Sequence, residues 1–414
     1  MVHMTERVET IIVGAGQAGL ATSYHLTRLG REHVVLERAP GPGNAWRSDR
    51  WDSFTLNTPN WAFRLPGAEY QGDAPDGFMP RGEIVARFER CAASLQASIR
   101  YGVGVQSVEP EPDGRGFQVQ TGETRWKTRN VVVATGLYQR SKVPPFSRQL
   151  SPQVAQVHSG QYRNPASLPD GSVLVVGSGQ SGCQIAEELY LSGRKVFLSV
   201  GSAGRAPRRY RGKDIFTWLL LTGFFDRTAG QLPSPEARFA GNPQVSGLDG
   251  GRSLNLHQFA RDGVVLLGRL KAGGAGTIGF AADLQENLAK VDKFEADLLQ
   301  KIDAYIEREG IDAPLEVLPS LRDGYEAETI SELDLRSAGI TSIVWSMGYD
   351  FDFDLVKLPA FDDSGFPVQR RGVTEFPGLL FVGLPWLHAQ KSGLLYGVGE
   401  DAEFIASMIA TRPS

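Results

Sequence analysis

Val8-Glu9-Thr10-Ile11-Ile12-Val13-Gly14-Ala15-Gly16-Gln17-Ala18-Gly19 is the stretch whose reading decides the fold. Residues 8–13 are apolar enough for a buried strand, and they run directly into GxGxxG and a helical pattern from about Leu20 to Leu29. A second strand, His33-Val34-Val35-Leu36, comes next and ends on Glu37 and Arg38. Gly14 permits a tight turn, Gly16 lets backbone N–H groups approach a pyrophosphate, and Gly19 allows close packing of helix on strand. Gln17 and Ala18 open the helix, whose N-terminus carries partial positive charge. Glu37 stands roughly 20 residues on, where a carboxylate meets an adenosine ribose. An ordinary strand-to-helix turn, the bland alternative, requires none of this register. The stretch predicts a dinucleotide site.

The same unit recurs. Val173-Leu174-Val175-Val176 leads into Gly177-Ser178-Gly179-Gln180-Ser181-Gly182, a helix from Cys183 to Leu191 and a strand Lys195-Val196-Phe197-Leu198. The repeat differs at the end of its second strand, which carries Ser199 and no acid, with Arg205, Arg208, Arg209 and Arg211 beyond it. A carboxylate there would repel a 2′-phosphate, whereas Ser199, Arg208 and Arg209 suit one. The alternative is a solvated basic loop. Glu at one site and Arg at the other imply two different dinucleotides, FAD at the first and NADPH at the second. Hydride transfer between them requires the two rings to meet, as two facing nucleotide folds allow.

Working outward, Gly43-Asn44-Ala45-Trp46-Arg47 and the aromatic loop Trp51 to Pro59 could all point at one ligand, or could be a surface loop with scattered aromatics. Residues 82–97 read as an amphipathic helix with Ile84, Val85, Phe88 and Leu95 on one side and Cys91 in the core. Gly116–Gln120 and Thr124–Val133 suggest an antiparallel excursion that delivers Ala134-Thr135-Gly136-Leu137-Tyr138, where small residues let backbone pass close to a cofactor. Proline-rich residues 142–170 read as a linker. The apolar run Ile215 to Phe225 is expected to be core first, a substrate channel second and a membrane contact third. Residues 283–309 read as one long helix ended by Gly310. Ile343 to Tyr349 resembles the Ala134-Thr135-Gly136 turn. The turn His388 to Gly399, with Leu394 and Leu395, is placed to return to the first domain and cover the flavin.

The expected fold class is therefore α/β, with two Rossmann-like dinucleotide-binding domains, the second inserted into the first. The boundaries are 1–163 and 340–414 for the FAD domain and 164–339 for the NADPH domain, with a helical insert at about 204–330. Length supports this, since 414 residues exceed what one core usually serves. The 48 glycines lie well above the usual ~7% and suit a loop-rich nucleotide-binding protein. A net charge of −4 gives no general attraction to nucleic acid or anionic membrane. Cys91 and Cys183 make no disulfide framework, CxxC pair or metal site. No apolar run reaches the roughly 18 residues of a membrane span. A cytoplasmic location without a stable membrane anchor is expected, with no targeting segment and with Met1-Val2-His3-Met4 as an artificial addition, and a homo-oligomer is left open.

At these residues the chain resembles the single-component (class B) flavin-containing monooxygenase family over nearly its whole length. Gly14 to Gly19 and Gly177 to Gly182 match that family's FAD and NADPH fingerprints. Residues 43–47 resemble its GGxWR stretch, with Asn44 for the second glycine, and Ala134-Thr135-Gly136-Leu137-Tyr138 its ATG-x-aromatic turn. Leu56-Asn57-Thr58-Pro59 is similar to the LNTP run of the YUCCA-type, bacterial flavin monooxygenase-like branch. The linker motif FxGxxxHxxx plus an aromatic keeps His158 and Tyr162 but has Pro152 and Val154 for Phe and Gly. A Baeyer–Villiger enzyme would end that motif on Trp. The resemblance implies an FAD-dependent, NADPH-consuming monooxygenase that forms a C4a-(hydro)peroxyflavin. Its substrates would be O₂ and a small amine, sulfide or carbonyl compound such as a 2-oxo acid. It also implies that Asn57 supplies the catalytic hydrogen bond and that His158 serves more as a hinge than as an acid or base. A flavoprotein reductase without oxygen insertion is the alternative.

Overall fold

The computed structural model describes residues 4–122 and 124–412. Met1–His3 of the expected addition lie outside them, while Met4 already belongs to the first strand. The first unit is built on β1 (Met4–Val13), β2 (His33–Glu37), β3 (Ser98–Tyr101), β4 (Ser107–Pro110), β5 (Phe117–Thr121) and β6 (Thr124–Val133). β1 pairs parallel with β2 and β6, β2 pairs parallel with β3, and β4, β5 and the first half of β6 form the expected antiparallel excursion. Helices α1 (Gln17–Arg28) and α2 (Arg81–Ser94) cover one face. There Leu20, Leu26, Ile84 and Phe88 pack with Ile12, Val35 and Val132. Strands buried on both faces are why β1 and β6 end in near-continuous Ile and Val.

The second unit opens on β7 (Ala155–His158) and continues through β8 (Ser172–Val176), α3 (Gln180–Leu191), β9 (Val196–Ser199), α4 (Ile215–Leu221), β10 (Val265–Leu267), α5 (Leu284–Glu309) and β11 (Ile340–Trp345). Its five strands are all parallel, in the order β10-β9-β8-β11-β7. α3 buries Cys183, Ile185, Ala186 and Leu189 against one face. A three-stranded antiparallel sheet, Leu270–Gly273, Thr277–Phe280 and Glu332–Asp334, covers the other through Ile278, Phe280 and Leu333. The chain then returns to the first sheet, where β12 (Leu379–Phe381) pairs parallel with the end of β6 and α6 (Val398–Thr411) packs on α1.

Residues 155–158 and 340–345, expected in the first domain, pair within the second sheet. The turn-rich surroundings of Ala155-Gln156-Val157-His158 hide its strand. It forms by parallel pairing with β11, as the edge strand of the second sheet.

Most of the apolar run Ile215 to Phe225 is core, although Leu221 is exposed. Trp218 is fully buried, and Ile215, Phe216, Leu219 and Phe225 are nearly so. α5 buries Leu284, Leu288, Val291, Leu298, Ile302 and Ile306. Phe294 and Tyr305, at the same helical spacing, are only partly covered. Gly310 caps α5 in the left-handed conformation at φ 63°. Among the described residues no helix is long and apolar enough to cross a membrane, and no cluster of three metal-ligating side chains occurs.

Candidate functional site: two glycine loops and the residues between them

The two glycine loops are near copies. Gly14 and Gly177 have φ of +107° and +104°, and a Cβ on either would strike the carbonyl oxygen of a later strand's turn, Ala134 at 2.8 Å and Ser346 at 2.6 Å. A Cβ on Gly19 or Gly182 would lie 1.8 Å from the carbonyl oxygen of Gly14 or Gly177. Gly16 and Gly179, in contrast, have nothing within 4 Å of that position. The outer glycines are thus required by protein packing, and the middle ones face open space beside a helix N-terminus that lacks a side-chain cap. An uncapped N-terminus with open space before it is a cradle for phosphate, so both sites fit a dinucleotide. Ser346 performs in the second unit the part Ala134 performs in the first, as the likeness of the two turns predicts.

Each loop is covered by a segment from elsewhere, tied to the first residue of its helix. Gln17 donates from Nε2 to the carbonyl of Gly393 at 2.8 Å, which brings the turn containing Leu394 and Leu395 over α1. Leu395 is buried, while Leu394 packs beside Trp61, Phe216 and Tyr396. Gln180 accepts from the Val245 N–H at 3.2 Å and donates to its carbonyl, so residues 244–246 lie across the second loop. Gln244, fully buried, donates to the carbonyls of Ser178 and Ala203.

The other expected residues divide. Glu37 is buried, and its carboxylate accepts from the Ala15 N–H at 2.7 Å and the Ala39 N–H at 2.8 Å, which holds the glycine loop against the end of β2. Arg38 projects outward from the same strand end. Gly43 donates from its N–H to the Ala15 carbonyl at 3.0 Å, so the Asn44–Arg47 turn is docked on the first loop. Trp46 packs on Phe54 and Phe88. Arg47 pairs through its guanidinium with the part-exposed Glu89 at 2.8 Å. Arg50, which no motif singles out, lies over the rings of Trp46, Phe54 and Tyr138 at 5.2, 5.4 and 5.8 Å. Ala134 is buried against Gly14, Thr135 accepts from Gln139 at 2.8 Å, and the Gly136 carbonyl accepts from the same amide at 2.7 Å. Ser199 is buried and donates to the Gly268 carbonyl at 2.9 Å.

The arginine cluster is largely committed within the protein. Arg208 is 2% exposed, pairs with Asp214 at 2.5 Å and donates to the Asn57 carbonyl at 2.8 Å. Arg205 is committed to Asp292 and Glu295, and Arg211 to Asp303. Arg209 is exposed and donates to the Gly250 carbonyl at 2.8 Å. Acids neutralise three of the four, Asp214 from six residues along the chain and Asp292, Glu295 and Asp303 from the distant α5. Arg208→Ala strands Asp214 in the interior, a loss on the scale of about 3–5 kcal/mol. Thermal unfolding should register this, and KM for NADPH and NADH should change by similar factors. A tenfold or larger loss confined to NADPH would restore Arg208 to the phosphate.

Asn57 stands where the units meet. Its Oδ1 accepts from Gln184 Nε2, on α3, at 2.8 Å. Ser53 and Tyr162 each donate to Glu188 of the same helix at 2.7 Å, so three first-unit or linker residues grip α3. Gln184 was legible only as the residue one helical turn after Gln180, on the same face.

His158 is structural. It is buried, its Nδ1 accepts from the Gly160 N–H at 3.2 Å, and its Nε2 donates to the Gly348 carbonyl at 3.0 Å, which fixes a neutral tautomer at the junction of β7 and β11. Burial holds its pKa below the usual 6.5, with Asp49 opposing. A group whose folded pKa is depressed stabilises above its unfolded pKa, and that contribution is lost as pH falls through the folded value. Lowering pH from about 7.5 to about 5 should therefore reduce Tm more in the native chain than in His158→Gln. Equal slopes would remove His158 from the acid sensitivity.

Buried, free Cys91 and Cys183 belong to separate helices, and burial pushes the Cys91 thiol up to about 12 and that of Cys183 higher still. Neither is a candidate redox thiol.

Two dinucleotide folds in one chain, joined at Asn57 and α3, define a two-nucleotide oxidoreductase. Residues 11–215 match the family model described as pyridine nucleotide-disulphide oxidoreductase. An uncharacterized CzcO-like oxidoreductase of Geobacillus kaustophilus is 31% identical over 409 residues, 98% of this chain and 99% of that protein. The indole-3-pyruvate monooxygenase YUCCA1 of Oryza sativa is 29% identical over 218 residues, 51% of this chain and 53% of that one. Among solved structures, a flavin-containing monooxygenase from Stenotrophomonas maltophilia superimposes with a TM-score of 0.66 at 18% identity, covering 98% of both chains. The chain belongs to the family of CzcO-like oxidoreductases and has the fold of the flavin-containing monooxygenases.

Proposed function

We propose that the protein is an NADPH-consuming monooxygenase that inserts one oxygen atom of O₂ into a small organic substrate, an amine, a sulfide or a carbonyl compound such as a 2-oxo acid. FAD sits at the loop Gly14–Gly19, with Glu37 at its ribose and Ala134, Thr135, Gly136, Trp46, Leu394 and Leu395 around it. NADPH sits at the loop Gly177–Gly182, with Ser199 and Arg209 toward the 2′-phosphate. When bound and reduced, the flavin supplies the activation of O₂ at C4a. Asn57 contributes a hydrogen bond at the reacting oxygen, and the covers over the two loops exclude water. The observation that carries the reading is the hydrogen bond from Gln184, on the helix opening from the second loop, to Asn57 of the first unit. It ties one residue of the LNTP run to the nicotinamide side. The carbonyl branch is supported by the YUCCA relative, whose name gives indole-3-pyruvate as its substrate. A cytoplasmic setting is supported by two unpaired cysteines, which suit a reducing compartment.

The second reading is a flavoprotein reductase, favoured by the disulphide oxidoreductase description of the matching family model. NADPH-dependent oxygen uptake with ¹⁸O₂ separates the two. An oxygenase transfers label to an amine, sulfide or 2-oxo acid, whereas a reductase returns all consumed oxygen as H₂O₂.

A further inference from the structure

The flip of the Asn57 amide is determined by a neighbour with no choice of its own. The Val245 carbonyl can only accept, and the side-chain atom of Gln184 at 2.8 Å from it is therefore the amide nitrogen. That same nitrogen lies 2.8 Å from Asn57, so the Asn57 atom facing it is the acceptor Oδ1. Val245 is pinned by the Gln180 side chain through its own N–H and carbonyl. The Asn57 backbone is pinned by Arg208, itself paired with Asp214. Gln184 is 8% exposed, and Asn57 is half-buried.

We propose that Gln184 is a positioning residue that fixes the Asn57 amide with Oδ1 toward α3 and Nδ2 presented as a donor. A donor is the polarity needed beside an oxygen that gains negative charge, while an amide presenting Oδ1 would repel it. Because Gln180 and Gln184 lie one turn apart on the helix that opens from the second glycine loop, nucleotide binding and the Asn57 donor share one rigid element. The catalytic consequence rests on the role given to Asn57 above.

Two measurements test it. In protein stripped of cofactors, Gln184→Ala and Asn57→Ala should each lower Tm, and the double variant should fall no further than the worse single, as residues sharing one bond are not additive. In the loaded enzyme, Gln184→Glu puts a carboxylate opposite two acceptors, and Asn57 must turn Nδ2 toward it. The share of NADPH spent as NADPH + H⁺ + O₂ → NADP⁺ + H₂O₂ should then rise toward that of Asn57→Ala. Gln184→Met, which removes the donor without adding charge, should move it the same way and serves if the carboxylate prevents folding. Additive Tm losses, or Gln184 variants with the native peroxide share while Asn57→Ala raises it, would overturn the proposal. If Asn57→Ala itself leaves the peroxide share unchanged, the function given to Asn57 fails instead, and the Tm cycle still decides the pairing.

Discussion

Gly16→Val should yield a folded, colourless protein. Gly16 has φ −82° and ψ −170°, an extended conformation open to any residue, and its Cβ direction meets nothing within 4 Å. Valine is therefore compatible with the chain and incompatible only with what the chain binds, since its methyl groups fill the space a pyrophosphate requires. Flavin content should fall from about one per chain to under about a tenth, with native-like secondary structure retained. Gly19→Ala is the contrasting case. Its Cβ would lie 1.8 Å from the Gly14 carbonyl oxygen, so α1 must leave β1 and the fold itself should suffer. Gly179→Val repeats the logic at the second loop, where nicotinamide binding should be lost from protein that stays yellow. Normal flavin stoichiometry in Gly16→Val would remove FAD from the first loop.

Asn57→Ala should leave reduction by NADPH nearly intact and impair the oxygen step, because a hydrogen bond used only after hydride transfer cannot alter that transfer much. Removing one positioned donor from a dry site costs about 2–4 kcal/mol, or about a thirtyfold to thousandfold change in the lifetime it protects. The expected result is rapid bleaching of the flavin, fast return of its colour in air, and H₂O₂ in place of oxygenated substrate. Slowed bleaching in equal measure would mean that the variant has disturbed α3 through Gln184 rather than the oxygen step.

The duplication of the fold was legible because short-range sterics write it into the chain: Gly14, Gly16 and Gly19 recur as Gly177, Gly179 and Gly182 with the same strand before and helix after. Even the return turns are matched, Ala134 against Gly14 and Ser346 against Gly177. Long-range pairing stayed hidden. In the stretch with Arg205, Arg208, Arg209 and Arg211, nothing local announces that Arg205 and Arg211 pair with Asp292 and Asp303 of α5. Nor does anything local announce that Arg47 pairs with Glu89 of α2. β7 is four residues among prolines, and only its pairing with β11 makes it a strand. Gln184 had no motif to mark it, since its importance lies in Val245 and Asn57, which meet only in the fold.

The central claim is that reduced enzyme delivers oxygen and does not merely lose electrons to it. NADPH-reduced protein mixed rapidly with O₂ should pass through a species absorbing between reduced and oxidised flavin before oxidised FAD returns, and retained NADP⁺ should lengthen its life by keeping the site dry. Reoxidation in a single phase, with no such species in the presence or absence of NADP⁺ and amine, sulfide or 2-oxo acid, would contradict the monooxygenase and leave a reductase.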